Sequence, residues 1–205
     1  MAERRTIGVV LFPGFEVLDV FGPVEAFGGI PDRFEVVTVA EAAGPVPSAQ
    51  RTRAVADTSF ADCPPCALLL VPGGIGTRQE VENAGLLDWL RARAAPAELV
   101  LSVCTCAALL ARAGLLDGRR ATTNKRAFSW VVEQGPRVTW VKVARWVEDG
   151  KFVTSSGVSA GIDMSLHVIA KLAGEQVAKE HAVRMEYTWH REAADDPFAR
   201  HWGLA

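Results

Sequence analysis

The chain has 205 residues, 49% of them hydrophobic and 22% charged, enough for one domain with a substantial core. A net charge of −2 supplies no basic surface for nucleic acid or anionic lipid. Apolar runs such as 67–71 are far too short to span a bilayer, and the N-terminus lacks a secretory cleavage pattern, so a cytoplasmic protein is expected.

In chain order, "TIGVVLF" reads as a first buried strand, ended by Pro13 and Gly14. "VLDVFGPVEAFG" has apolar residues at helical spacing, with Pro23 as an interruption, and "FEVVTVA" is a second strand. "GPVPSAQRTRAVADTSF" is polar and turn-rich, with room for a short hairpin. "CPPC" then places Cys63 and Cys66 at a C-x-x-C spacing. Two prolines make that segment stiff and extended, unlike the helix start of a redox motif, and zinc would need two more ligands. The spacing is therefore read as a chance pair of loop cysteines.

"ALLLVPGG" is a fully apolar strand ending in Pro-Gly-Gly, and "AGLLDWLRARAA" an amphipathic helix. "ELVLSV" is the next buried strand; it passes through Cys104 into an Ala/Leu-rich helix with no turn residues between. "ARWVEDGKFVTSS" has an Asp-Gly turn between alternating runs, a hairpin signal. "GIDMSLHVIAKLAGEQVAKEHAVRMEY" is a long helical stretch broken near Gly174. Continuous apolar strands alternating with helices mean a mainly parallel sheet covered on both faces. A site is expected beyond the carboxyl ends of the strands, at "LFPGFEVLD", "LLVPGGIG" and "LSVCT".

At such an end, Cys104 would meet unpaired helix-start amides and the positive end of a helix dipole, which favour the thiolate nucleophile. The position is equally compatible with a small buried cysteine at a tight junction. Gly73 and Gly74 would let backbone amides approach a ligand, forming an oxyanion hole with Thr105, or would simply make a strand-end turn. Asp19 is either an inward carboxyl acting as a proton donor beside the thiol or the N-cap of a helix starting at Val20. The four histidines show no metal-ligand spacing, so neither a metal nor another cofactor is expected. Trp89, Trp130, Trp140 and Trp146 are candidates for an apolar pocket lining.

Together "VVLFPGFEVLDVFGPVEAF", "LLVPGGIGTR", "LSVCTCAALLARAGLLDGRRATTN" and "TSSGVSAGIDMSLHVIAKLAG" resemble the ThiJ/PfpI superfamily. The resemblance runs from Gly8 to Gly174 and implies one flavodoxin-like domain over 1–205, a three-layer α/β sandwich with a small β-hairpin. Asp19, the Cys104-Thr105 pair, "RATTN" and "SGVSAGID" look most like isocyanide hydratases, and like the amidase-type domains of AraC-family regulators. A chain this short leaves no expected room for the regulators' DNA-binding helices.

The resemblance implies that Cys104 is the nucleophile and Asp19 its acid/base partner, with Gly73, Gly74, Thr105 and Asn124 around the reacting centre. It also implies a homodimer with a small-molecule substrate. Thr105 and Asn124 stand where peptidase- or glyoxalase-like branches have histidine, and Cys106 stands where glycine is common. Isocyanide hydration is the leading expectation. The alternatives are a cofactor-free glyoxalase and a non-enzymatic cysteine sensor or binding module.

Overall fold

The computed structural model describes residues 4–205. Strand β1 (Arg5–Val10) leads into helix α1 (Val17–Gly28) and strand β2 (Phe34–Ala40). Strands β3 (Gly44–Pro47) and β4 (Arg53–Ala56) pair antiparallel as the expected small hairpin. Then come β5 (Thr58–Ser59), β6 (Leu68–Val71), α2 (Thr77–Glu80), α3 (Ala84–Ala94) and β7 (Leu99–Ser102). A 3₁₀ turn, Cys104–Cys106, opens α4 (Ala107–Arg112), followed by β8 (Arg120–Ala121), α5 (Phe128–Gln134) and β9 (Thr139–Trp140). The chain closes with β10 (Trp146–Asp149), β11 (Phe152–Ser155), α6 (Ala160–Ala173), α7 (Glu175–Arg184) and α8 (Phe198–His201).

Among the described residues the main sheet has seven strands in the order β10-β11-β7-β6-β1-β2-β5. Every pairing is parallel except that of β10 with β11, which form the hairpin that the Asp-Gly signal predicts, its two-residue turn being Gly150 and Lys151 directly after Asp149. The strand order reverses direction at β1. Right-handed crossovers then send α1 to one face and α3 to the other. Helix α1 packs with α6 and α6 with α7, while α3, α2 and α5 pack with α4. Strands covered on both faces must be apolar throughout, and "LLLV" of β6 and "LVLS" of β7 are buried at every position. Each fully buried leucine, such as Leu68, Leu69 or Leu70, contributes about 1.5–3 kcal/mol.

Local signals account for the ends of the helices. Asn83 caps α3, its side-chain oxygen accepting from the Leu86 amide at 3.1 Å, and Leu86, Leu87, Leu90 and Ala94 turn to the core. Gly174 separates α6 from α7 at φ +106, a conformation that residues with a Cβ rarely adopt. Helix α1 runs through Pro23 without a break, and it starts at Val17 rather than Val20. No helix among the described residues is long and apolar enough to cross a membrane.

Candidate active site

Strand β7 ends at Ser102, and the chain reverses at Cys104 with φ +60. Holding a cysteine in the left-handed region costs on the order of 1–3 kcal/mol and needs surroundings that over-determine it. Here the Cys104 amide donates to the Ser156 carbonyl beyond β11 at 3.0 Å. Its own carbonyl accepts from the Thr123 hydroxyl at 2.8 Å and from the Asn124 amide at 3.4 Å. Gly73, beyond β6, packs directly on the elbow. A Cβ there would lie 2.5 Å from the Thr105 nitrogen and 2.9 Å from the Cys104 Cβ, so only glycine permits the approach.

Asp19 lies in the first turn of α1 and is not its cap, which is Glu16. The carboxyl is completely buried. One oxygen, Oδ2, accepts from the Gly73 amide at 2.8 Å, and Oδ1 has no hydrogen-bond partner among the described residues. Burial pushes its pKa up to about 8; Glu16 adds to the rise, while the Gly73 N–H and the neighbouring Cys104 oppose it. At neutral pH Asp19 therefore holds a proton.

The Cys104 thiol differs from the sequence expectation. Burial, followed by the charge of Asp19, pushes it above the ordinary thiol range. The amides of Val158 and Thr105 and the Asn124 side chain pull the other way without prevailing. The residue is only 5% exposed, and the helix beyond it is a 3₁₀ turn followed by six α-helical residues, so desolvation outweighs the dipole.

Asn124 Nδ2 donates to Cys104 Sγ at 3.2 Å, while its Oδ1 accepts from the Ala127 amide at 3.0 Å, which fixes the orientation of the side chain. The expectation that Gly73 and Gly74 offer free amides needs correction. The Gly73 amide is taken by Asp19, and that of Gly74 donates to Thr105 Oγ1 at 3.0 Å. The glycines organise the acid and the threonine rather than offering an oxyanion hole. Sequence reasoning missed Thr77, which is fully buried and donates to the Gly74 carbonyl at 2.7 Å while contacting Thr105 Oγ1 at 3.2 Å. Its position three residues after Gly74 is the available signal, since threonine hydroxyls reach back at that spacing.

Cys106 is fully buried beside Ser102 and does not prevent the elbow from forming. The histidines are engaged elsewhere: His167 with Glu148, His181 with the Glu25 carbonyl, His190 with the Asp195 carbonyl, and His201 against the Trp202 ring. Trp89 stacks on Phe60, Trp130 lies beneath Arg78, Trp140 donates to the Gly135 carbonyl and Trp146 packs on His167. None of these contacts involves Cys104. Among the described residues no group of three or more His, Cys, Asp or Glu side chains is placed to hold a metal ion.

A profile of the DJ-1/PfpI family matches residues 5–171. The chain is 37% identical over 183 residues to an isonitrile hydratase of Pseudomonas putida, covering 88% of this chain and 78% of that protein. It is 31% identical over 174 residues to the HTH-type transcriptional regulator CdhR of Pseudomonas aeruginosa, covering 82% of this chain and 51% of the regulator. Among solved structures, a ThiJ/PfpI family protein from Pseudomonas syringae superposes with a TM-score of 0.84 at 30% identity, covering 96% of this chain and 78% of that one.

Proposed function

Because the chain belongs to the DJ-1/PfpI family, we propose that it hydrates an isocyanide, R–N≡C, to the N-substituted formamide, with Cys104 as nucleophile and Asp19 as acid and base. The observation that carries this reading is the buried Asp19 carboxyl, pushed up to about 8, against a cysteine held at φ +60. The similarity to an isonitrile hydratase supports the substrate class. A protonated acid beside sulfur, with the histidines occupied elsewhere, suits addition across a triple bond better than a Cys-His acyl transfer.

No free thiolate is needed in advance. The sulfur attacks the terminal isocyanide carbon as Asp19 protonates that same carbon and takes up the thiol proton in exchange, giving a thioimidate, R–N=CH–S–Cys104. Asp19 then gives that proton to the imine nitrogen and, as a carboxylate, takes one from water as the hydroxyl adds to the carbon. The C–S bond breaks as Asp19 returns its proton to sulfur and takes that of the hydroxyl, and the formamide leaves. Asn124 Nδ2 and the Thr105 and Val158 amides stabilise the sulfur whenever it carries charge. Leu18 and Phe21 on α1, and Ile75 beside Gly74, stand exposed near this site; in the same reading a second copy of the chain covers them.

The test is conversion of a small isocyanide to its formamide, followed by proton NMR, in EDTA and without nucleotide or reductant. Turnover lost in Cys104→Ala and largely kept in Cys106→Ser is the expected result. Formamide no faster than in buffer alone, together with Cys104-dependent loss of methylglyoxal, would replace this reading with a glyoxalase.

A further inference from the structure

The "CPPC" segment does not place its cysteines at random. Cys63 and Cys66 are free thiols whose Sγ atoms lie 4.0 Å apart, and both thiols donate to the Pro64 carbonyl, at 3.4 and 3.3 Å. Pro64 and Pro65 are exposed, while Cys63 is buried and Cys66 half-buried, so the sulfurs meet on the inner side of the segment. The two thiols, read from the sequence as a chance pair, thus meet in space. Strand β6 begins two residues after Cys66, so the pair sits at the opposite end of that strand from Gly73 and the Cys104 elbow.

The pair opens onto a surface cavity of about 460 Å³ lined by Cys63, Cys66, Leu69, Trp89, Arg93 and Pro96. The wall is built rather than loose. Trp89 stacks on Phe60 with ring centroids 4.4 Å apart and donates through Nε1 to the Phe60 carbonyl at 3.0 Å. Arg93 donates to the Cys63 carbonyl and lies 5.7 Å from the Trp89 ring centroid. Arg93 lines the cavity as a cation, and among the described residues no carboxylate forms an ion pair with it.

We propose that Cys63 and Cys66 form a thiol–disulfide exchange site, separate from Cys104, that takes an anionic low-molecular-weight disulfide. Cys66, the more accessible sulfur, attacks as thiolate and releases one external thiolate, leaving a mixed disulfide on the protein. Cys63 then attacks the Cys66 sulfur, forming the Cys63–Cys66 bond and releasing the second external thiolate. The protein dithiol is oxidised and the external disulfide is reduced; the two protons lost by Cys66 and Cys63 pass through solvent to the two released thiolates, giving two external thiols. Closure requires the sulfurs to approach from 4.0 Å to about 2 Å, a movement within reach of side-chain rotation. Burial, reinforced by the charge of Cys63 and opposed by Arg93, pushes the Cys66 thiol up to about 12. Exchange therefore accelerates with rising pH without levelling off near neutrality.

The experiment uses the full chain and glutathione disulfide, with peptide mapping under non-reducing conditions. Cys63 and Cys66 fall in one tryptic peptide, 54–78. The expected product is that peptide lighter by two hydrogens, formed at the same rate in Cys104→Ala. Cys63→Ser should instead accumulate a glutathione adduct on Cys66. Wild-type protein should react several-fold faster with glutathione disulfide than with the cationic disulfide cystamine, and Arg93→Gln should shrink that ratio. A persistent mixed disulfide in wild type, modification confined to Cys104 or Cys106, or a ratio unchanged by Arg93→Gln overturns the proposal. These readouts need no isocyanide turnover, so they stand or fall apart from the hydratase reading.

Discussion

At Asp19, burial, a hydrogen bond and neighbouring charge compete over one proton. The unfolded carboxyl has its ordinary pKa of 3.8, and the folded one about 8. Between those values the folded protein keeps a proton that the unfolded chain has lost. The contribution to stability is thus full below pH 3.8 and is lost as pH rises through about 8, a change on the order of 5 kcal/mol over the whole window. Asp19→Asn mimics the protonated acid and keeps an oxygen for the Gly73 amide. Urea denaturation followed by tryptophan fluorescence is expected to show the wild-type midpoint falling from about pH 5 to about pH 8 more steeply than that of Asp19→Asn. Parallel curves would mean that the carboxyl is ionised when folded. The same variant should be folded yet nearly inactive, and wild-type turnover should decline above about pH 8 as the acid is lost.

Among the elements, two glycines separate a site effect from a helix effect. Gly73→Ala puts a Cβ within 2.5 Å of the Thr105 nitrogen and 2.7 Å of its hydroxyl. Moving the elbow to relieve this should cost about 1–3 kcal/mol and at least about 100-fold in turnover. Gly28, at the end of α1, has Val36 as its nearest neighbour at 3.9 Å, so Ala fits. Gly28→Ala should leave turnover unchanged and raise stability by about 0.5–1 kcal/mol. Equal behaviour of the two variants in urea midpoints and initial rates would refute this account of the Gly73 contact. The position of Gly73 after an apolar strand was legible in the sequence. Its contact with a strand-helix junction 31 residues further on, seen in the Gly74–Thr105 bond, was not.

Across the molecule, a buried polar clamp ties the C-terminal segment to the elbow. Asp163 on α6 accepts from Arg145 Nε at 2.7 Å, from the Tyr187 hydroxyl at 3.0 Å and from the His190 amide at 2.9 Å. The Arg145 carbonyl accepts from the Ser156 amide at 2.8 Å, and the Ser156 carbonyl in turn holds the Cys104 amide. A second buried pair, Lys125 with Asp196, fastens the tail to the segment bearing Asn124. Asp163→Ala strands the Arg145 charge in the interior, at a cost of about 3–5 kcal/mol. In a chain of this size that lowers Tm by roughly 6–20 °C. A scanning-calorimetry shift of a degree or less would show that the clamp is not structural.

The order of elements was readable because it rests on local periodicity and punctuation. Apolar runs became the buried parallel strands, the Asp149-Gly150 signal marked the hairpin of β10 and β11, whose turn is Gly150 and Lys151, and Gly174 became the break between α6 and α7. The short sheet of β8 and β9 and the helix α5 carried no such pattern. The sequence also brought Asp19, Cys104, Thr105 and Asn124 forward as candidates, and folding gathers them with Gly73 and Gly74. Their electrostatics were decided only in three dimensions. Helix position argued for a low thiol pKa, but desolvation depends on everything packed around the sulfur, and it prevails at Cys104 and Asp19 alike. The donors of Gly73 and Gly74 were likewise committed by tertiary neighbours far away in sequence. So was the convergence of Cys63 and Cys66, since a C-x-x-C spacing alone does not bring two thiols together and their packing beside β1, β6 and α3 does.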